Sequence, residues 1–192
     1  MNIKNLKQVI IIAAALIMVS ISGCDRKDES AQVYMEPEVV SFKKAVAVIH
    51  PLNGSNVNGI VYFNQKQNGI EVIADINGLE PGKHGFHIHE YGDLRKEDGT
   101  SAGGHFNPEN MPHGAPDMDN RHVGDLGNIV AIEGNVAHYA WLDTKISFSG
   151  KHSIIGRALI IHQGEDDYTT QPTGDAGPRV GGGVIGIANE NL

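Results

Sequence analysis

The chain has 192 residues, of which 24 are glycine and a single one, Cys24, is cysteine, and its formal net charge at pH 7 is -8. One thiol excludes an internal disulfide, and an acidic chain without a basic cluster argues against nucleic acid as a partner. The length allows one domain with a proper core and not two.

Lys4 and Lys7 precede an apolar run from Val9 to Val19, shorter than the ~20 residues a membrane-spanning helix needs. With the small-residue exit Ile21-Ser22-Gly23-Cys24, residues 1–23 read as an export signal. That ending also resembles a bacterial lipoprotein signal, which implies a lipid on Cys24 and a chain held on a membrane surface. Asp25-Arg26-Lys27-Asp28-Glu29-Ser30 opens a stretch without apolar periodicity, so residues 24–41 are expected to be a flexible tether. Residues 42–192 are then the folded domain.

Alternating or β-branched runs punctuated by glycine predict an all-β domain. The expected strands are Ala45 to His50, Gly59 to Asn64, Ile70 to Ile76, Lys83 to Tyr91, Asn128 to Ile132, Val136 to Leu142, Ser153 to His162 and Val184 to Ala188. Eight strands without a convincing helix suggest a Greek-key β-sandwich or barrel, and Glu133-Gly134-Asn135 reads as a tight hairpin. Two connections are long, 92–127 and 163–183, and loops of that length in a compact domain are usually functional.

In Gly-Phe-His-Ile-His, His87 and His89 share one strand face while Phe86 and Ile88 share the other, which makes a preformed chelating pair. His105, His113, His122 and Asp125 follow in or beside the first long loop, and His162 directly precedes the second. Six histidines and one aspartate describe two adjoining metal sites. Two four-coordinate sites need eight ligands, so seven groups suffice only if one imidazole serves both through its two ring nitrogens. Three imidazoles and a carboxylate suit zinc, whereas an all-imidazole set suits copper.

Taken in order, Gly85-Phe86-His87-Ile88-His89-Glu90, Ser101-Ala102-Gly103-Gly104-His105-Phe106-Asn107-Pro108, Arg121-His122-Val123-Gly124-Asp125-Leu126-Gly127-Asn128 and Gly174-Asp175-Ala176-Gly177-Pro178-Arg179 resemble the copper/zinc superoxide dismutases over about 45–189. The resemblance implies copper on His87, His89, His105 and His162, and zinc on His105, His113, His122 and Asp125, so His105 is the shared ligand. It implies that Asp166 bonds His87 and His113, and that Arg179 attracts the anionic substrate beside the copper. His84 is matched as a core histidine without a metal, and His50, His138 and His152 have no ligand-like setting. The implied reaction converts superoxide to oxygen and hydrogen peroxide as copper cycles between Cu(II) and Cu(I). In that cycle His105 releases copper and takes up a proton, and zinc is structural.

Two departures from the family pattern stand out. Gly99 and Gly182 occupy the positions of the family's two disulfide cysteines. A disulfide between them would close a loop of 84 residues and contribute at most about 4.6 kcal/mol on the chain-entropy account, so the loop bearing His105 is expected to be looser here without metal. Residues 163–178 hold Glu165, Asp166, Asp167 and Asp175 but no lysine or arginine, leaving Arg179 to act with help from elsewhere, such as Lys96. A non-catalytic copper- and zinc-binding lipoprotein on the same scaffold is the competing reading, since a fold alone does not fix an activity. Arg179 argues against it, because a sequestering protein has no use for an anion-guiding arginine. Export and the lipid on Cys24 would put the protein on the extracytoplasmic face of a bacterial membrane.

Overall fold

Residues 42–191 are described by a computed structural model; the export signal, Cys24 and the tether expected over 24–41 lie outside the described residues. The strands are β1 (Lys44–Pro51), β2 (Asn58–Lys66), β3 (Gly69–Asn77), β4 (Gly82–Ile88), β5 (Asp125–Ile132), β6 (Val136–Asp143), β7 (Ala158–His162), β8 (Arg179–Val184) and the two-residue β9 (Gly186–Ile187). Two short 3-10 turns, Thr100–Ala102 and Gly150–His152, are the helical content of the described residues.

The period-two pattern places the core. In β3, Ile70, Val72, Ala74 and Ile76 all point inward and are buried, as are Ala45, Ala47 and Ile49 of β1 and Val61 and Phe63 of β2. The antiparallel neighbours run β2-β3-β6-β5-β4-β7-β8-β1, and β1 pairs with β2 as well, so eight strands close into a barrel with β9 appended to β1. Closure removes the free edges that an open sheet would expose. The β3–β6 and β4–β7 neighbours are the Greek-key crossings, and the second brings the end of β4 beside β7. Asn135, at φ 61, and Gly134, at φ 93, turn the expected hairpin between β5 and β6.

The last part of the chain departs from expectation. The eighth strand was expected at Val184 to Ala188, but β8 begins at Arg179 and runs through three glycines that read as loop. A side chain at Gly181 would meet Val57 Cγ1 at 2.7 Å, one at Gly182 would meet Leu52 Cδ1 at 2.8 Å, and one at Gly183 would strike the carbonyl of Val48. The strand passes too close to its neighbours for any larger residue. β7 starts at Ala158, five residues later than expected, because a turn at Gly156, with φ 79, precedes it.

Beside the main core, Leu52, Ala102, Ala158 and Ile160 form a second buried cluster, with Leu94 packed against it. A Cβ on Gly99 or on Gly182 would meet the same Leu52 Cδ1 methyl, at 2.9 and 2.8 Å. An apolar plug therefore fills the space between the two positions where the family pattern places cysteines. Leu52→Ala should lower the unfolding free energy by about 2–5 kcal/mol, while a thiol reductant leaves the melting curve of the metal-free chain unchanged. Calorimetry of both preparations checks this, and a fully stable Leu52→Ala chain would show that the cluster restrains nothing.

Candidate metal centre

The barrel presents the histidines from three directions. Along β4, Phe86 and Ile88 enter the core, so His87 and His89 face outward into the space beneath the two long loops, where both are buried. His89 pairs in an isolated bridge with His105, which brings the first long loop onto the strand end. Across β7 and β8, His162 is the register partner of Arg179, past a bulge. His122 and Asp125 straddle Gly124, whose Cβ would strike the carbonyl of Ile88, so only glycine lets the loop lie flat on β4.

Two groups of donors result. One nitrogen each from His87, His89, His105 and His162, and one donor atom each from His105, His113, His122 and Asp125, lie within 4.8 Å of one another in their respective sets. In the first set His89 Nε2 and His162 Nε2 are 3.3 Å apart. In the second, Asp125 Oδ1 is 2.8 Å from His105 Nδ1, 3.1 Å from His113 Nδ1 and 3.2 Å from His122 Nδ1. Tetrahedral coordination with ~2.0 Å bonds sets ligand atoms about 3.3 Å apart, close to this spacing.

Hydrogen bonding gives an independent test of fit. His87 Nε2 and His113 Nε2 donate to Asp166 Oδ2 and Oδ1, both at 2.8 Å, and His89 Nδ1 and His162 Nδ1 donate to the carbonyls of Gly103 and Gly177, both at 3.0 Å. A neutral ring that donates outward through one nitrogen carries a lone pair on the other. The inward atoms His87 Nδ1, His105 Nε2, His113 Nδ1 and His122 Nδ1 are buried without any hydrogen-bond partner. Each such atom costs about 1–3 kcal/mol, and four of them converge on the two sets. A cation satisfies all four. His105 places Nδ1 beside Asp125 in the second set and leaves Nε2 without a partner.

The surrounding charges divide the sets. Burial pushes His87 down to about 3 and His162 down to about 4, and also lowers His89 and His105, so these four rings are neutral at pH 7. His113 differs: burial opposes its charge, but the nearby carboxylates of Asp125 and Asp166 outweigh burial and raise it to about 9. Burial likewise opposes ionisation of Asp125 and Asp166, yet their histidine partners hold both carboxyls well below the usual range.

Arg179 is half-buried, and its guanidinium donates to the carbonyls of Gly99 and Gly103, the latter at 2.6 Å. Gly103 O therefore accepts from both His89 and Arg179. Arg179 thus braces the loop that carries His105 while three of its five N–H donors remain for another partner. His84 is buried against the carbonyls of His162 and Glu80, at 3.0 and 2.8 Å, and His50, His138 and His152 lie in neither set. Glu165 meets Lys83 of β4 at 2.6 Å, a cation that the acidic loop does not itself contain.

Two supporting residues had no assigned role in the sequence. Arg121, buried, donates to the carbonyls of His122 and Asp125 at 3.0 and 3.1 Å and to Asp143 Oδ2 at 2.6 Å. Asn128 accepts from Asp166 N and donates to Asp166 O, at 2.8 and 2.9 Å. A charged residue next to a ligand motif was the available signal for Arg121, and nothing local distinguished Asn128.

A closed Greek-key barrel that carries two adjoining donor sets sharing one imidazole defines a class of dinuclear metalloproteins. The family model of copper/zinc superoxide dismutase (SODC) matches residues 57–185, and the chain belongs to that family. It is 44% identical over 153 residues to an extracellular superoxide dismutase [Cu-Zn] of Brugia pahangi, an alignment covering 75% of this chain and 76% of the relative. It is 47% identical over 157 residues to a superoxide dismutase [Cu-Zn] of Paramecium bursaria Chlorella virus 1, covering 78% and 82%. The crystal structure of the clock protein EA4 superposes with a TM-score of 0.73 at 44% identity, covering 80% of this chain and all of that one.

A proton on His113 below pH of about 9 must leave when an ion enters the second set. Apparent affinity there should rise by up to about tenfold per pH unit toward that value, with no matching rise for the four-imidazole set, as competition titrations with a chelator would report. In the metal-free chain the raised pKa of His113 stabilises the fold below its unfolded value of 6.5, and that contribution disappears as pH rises through about 9. His87 and His162 act oppositely, losing their contribution as pH falls from 6.5 toward about 3 and 4. Metal-free melting temperatures should therefore peak near neutrality, and a monotonic profile would contradict these assignments.

Proposed function

We propose that copper is held by His87, His89, His105 and His162 and zinc by His105, His113, His122 and Asp125, and that the chain dismutes superoxide at the copper. The observation that carries this reading is His105, whose two nitrogens face different donor sets beside a guanidinium with donors to spare. An all-imidazole set favours copper, and three imidazoles with a carboxylate favour zinc. Bound copper supplies the one-electron oxidation and reduction that two superoxide ions need to become oxygen and hydrogen peroxide.

The chain's own residues do the rest. Arg179 is always charged, and its N–H donors next to His89 and His162 attract and orient a small anion. His105 Nε2 is the atom at which a proton can wait between the two half-reactions, because Nδ1 belongs to the other donor set, beside Asp125. Asp166 fixes the rings of His87 and His113, so the rings do not rotate as charge changes. Lys83, by neutralising Glu165, reduces the repulsion that the acidic 163–178 loop exerts on an approaching anion.

The test is copper and zinc content together with dismutase activity in one preparation, with Arg179→Glu alongside. The parent is expected to bind both metals and to be active, and the variant to keep copper while its rate falls by about tenfold or more and loses its salt dependence. Metal binding without activity in the parent would favour the carrier reading.

We also infer that residues 1–23 are an export signal, that a lipid on Cys24 anchors the chain through residues 24–41, and that it works outside the cytoplasm of a bacterium. The motif Ile21-Ser22-Gly23-Cys24 supports this, and the Brugia relative is named extracellular. Cys24→Ser should shift the protein from the membrane fraction to soluble or unprocessed forms. Unchanged membrane association with normal processing would remove the lipid anchor.

A further inference from the structure

We propose that Gln171 is a positioning residue for the zinc half of the site, its side-chain amide clamping the main chain of His113 and so tying the 163–178 loop to the ligand loop. The proposal rests on the zinc assignment above.

His113 lies in a stretch rich in proline, asparagine and glycine that carries no strand ladder. Its fellow ligands are held otherwise: His105 by its bridge to His89, and His122 by its N–H on Asp125 Oδ2 at 2.9 Å and by Arg121 on its carbonyl. Among the described residues, Gln171 makes both main-chain hydrogen bonds of His113. Gln171 Oε1 accepts from His113 N at 2.8 Å, and Gln171 Nε2 donates to His113 O at 3.0 Å. The pairing admits one amide orientation, because the end that faces an N–H must be oxygen.

The same loop grips the ring. Asp166 Oδ1 takes His113 Nε2 at 2.8 Å, so the main chain is fixed from Gln171 and the imidazole from Asp166. Gly174, at φ 68, makes the approach possible: a Cβ there would collide with Asp166 Oδ1 and stand 2.6 Å from His113 Nε2. With backbone and ring held from one loop, His113 Nδ1 can swing out of the zinc set only if that loop lifts. The loop that ends at Arg179 and the loop that supplies three zinc ligands therefore move as one unit, latched at His113.

The test uses the full chain loaded with copper and zinc. Gln171→Ala and Gln171→Glu are compared with the parent and with Gln163→Ala, a change in the same loop outside the clamp, by stopped-flow release of zinc to a chromogenic chelator and by the copper absorption spectrum. Removing two hydrogen bonds from a partly exposed amide should speed zinc release by about tenfold, with the copper spectrum and Gln163→Ala at parent values. Glu has the length of Gln and keeps the acceptor but sets an oxygen against His113 O, so it should release zinc at least as fast as Ala. Parent-like release in the Ala variant would overturn the clamp, and parent-like release in Glu alone would show that side-chain length acts and not the amide pair. A parent that holds no zinc would instead overturn the site assignment on which the proposal stands.

Discussion

Asp166 is the contact around which the site is organised. Its carboxylate is excluded from solvent, and each oxygen takes one imidazole N–H, from His87 of one donor set and His113 of the other. A buried carboxylate without such partners would cost several kcal/mol; here the partners gain as much as the acid does. Both rings have their orientation fixed, and the second nitrogen of each then points inward, where it has no hydrogen-bond partner. The other elements serve this arrangement: Asn128 holds the main chain of Asp166 from β5, and Gly174 leaves room for its oxygen.

Because the contacts converge from distant segments, the loops must be held with little regular structure and without a covalent link. Three devices do this. The base of the first long loop is pinned by Arg121, whose buried charge is paired with Asp143 and spread over the carbonyls around His122 and Asp125. Breaking one side of such a pair strands the other charge in the interior, so the arrangement stays together or fails together. The front of the loop rests on the apolar plug of Leu52, Leu94 and Ile160, which occupies the space between Gly99 and Gly182. Arg179 adds the third hold, on the carbonyls of Gly99 and Gly103. Arg179 was expected to act on substrate alone, but in the fold it also restrains the loop, because the guanidinium has enough donors for both duties.

The two donor sets are electrostatically unequal. The four-imidazole set is neutral through burial and faces the guanidinium, so its net charge comes from whatever ion it holds. The second set contains Asp125 and leans on Asp166, and these two carboxylates raise the pKa of His113 against the effect of burial. One set thus awaits a cation with open lone pairs, while the other must exchange a proton for it.

Much of this was legible in one dimension. Alternation assigned six of the eight barrel strands close to their observed bounds, and His87 and His89 could be put on one face because a strand's period of two is a local property. The count of seven candidate ligands raised the idea of a shared imidazole from sequence alone. What was not legible depends on which segments meet. The β8 strand runs through Gly181, Gly182 and Gly183, residues that resemble a loop until the neighbours crowding them are seen. Leu52 reads as an ordinary apolar residue and Gln171 as an ordinary polar one, yet each acts on a partner dozens of residues away. Local pattern records the face a side chain takes, whereas its partner across the barrel is set by closure of the sheet and the path of two long loops, which no short window of residues contains.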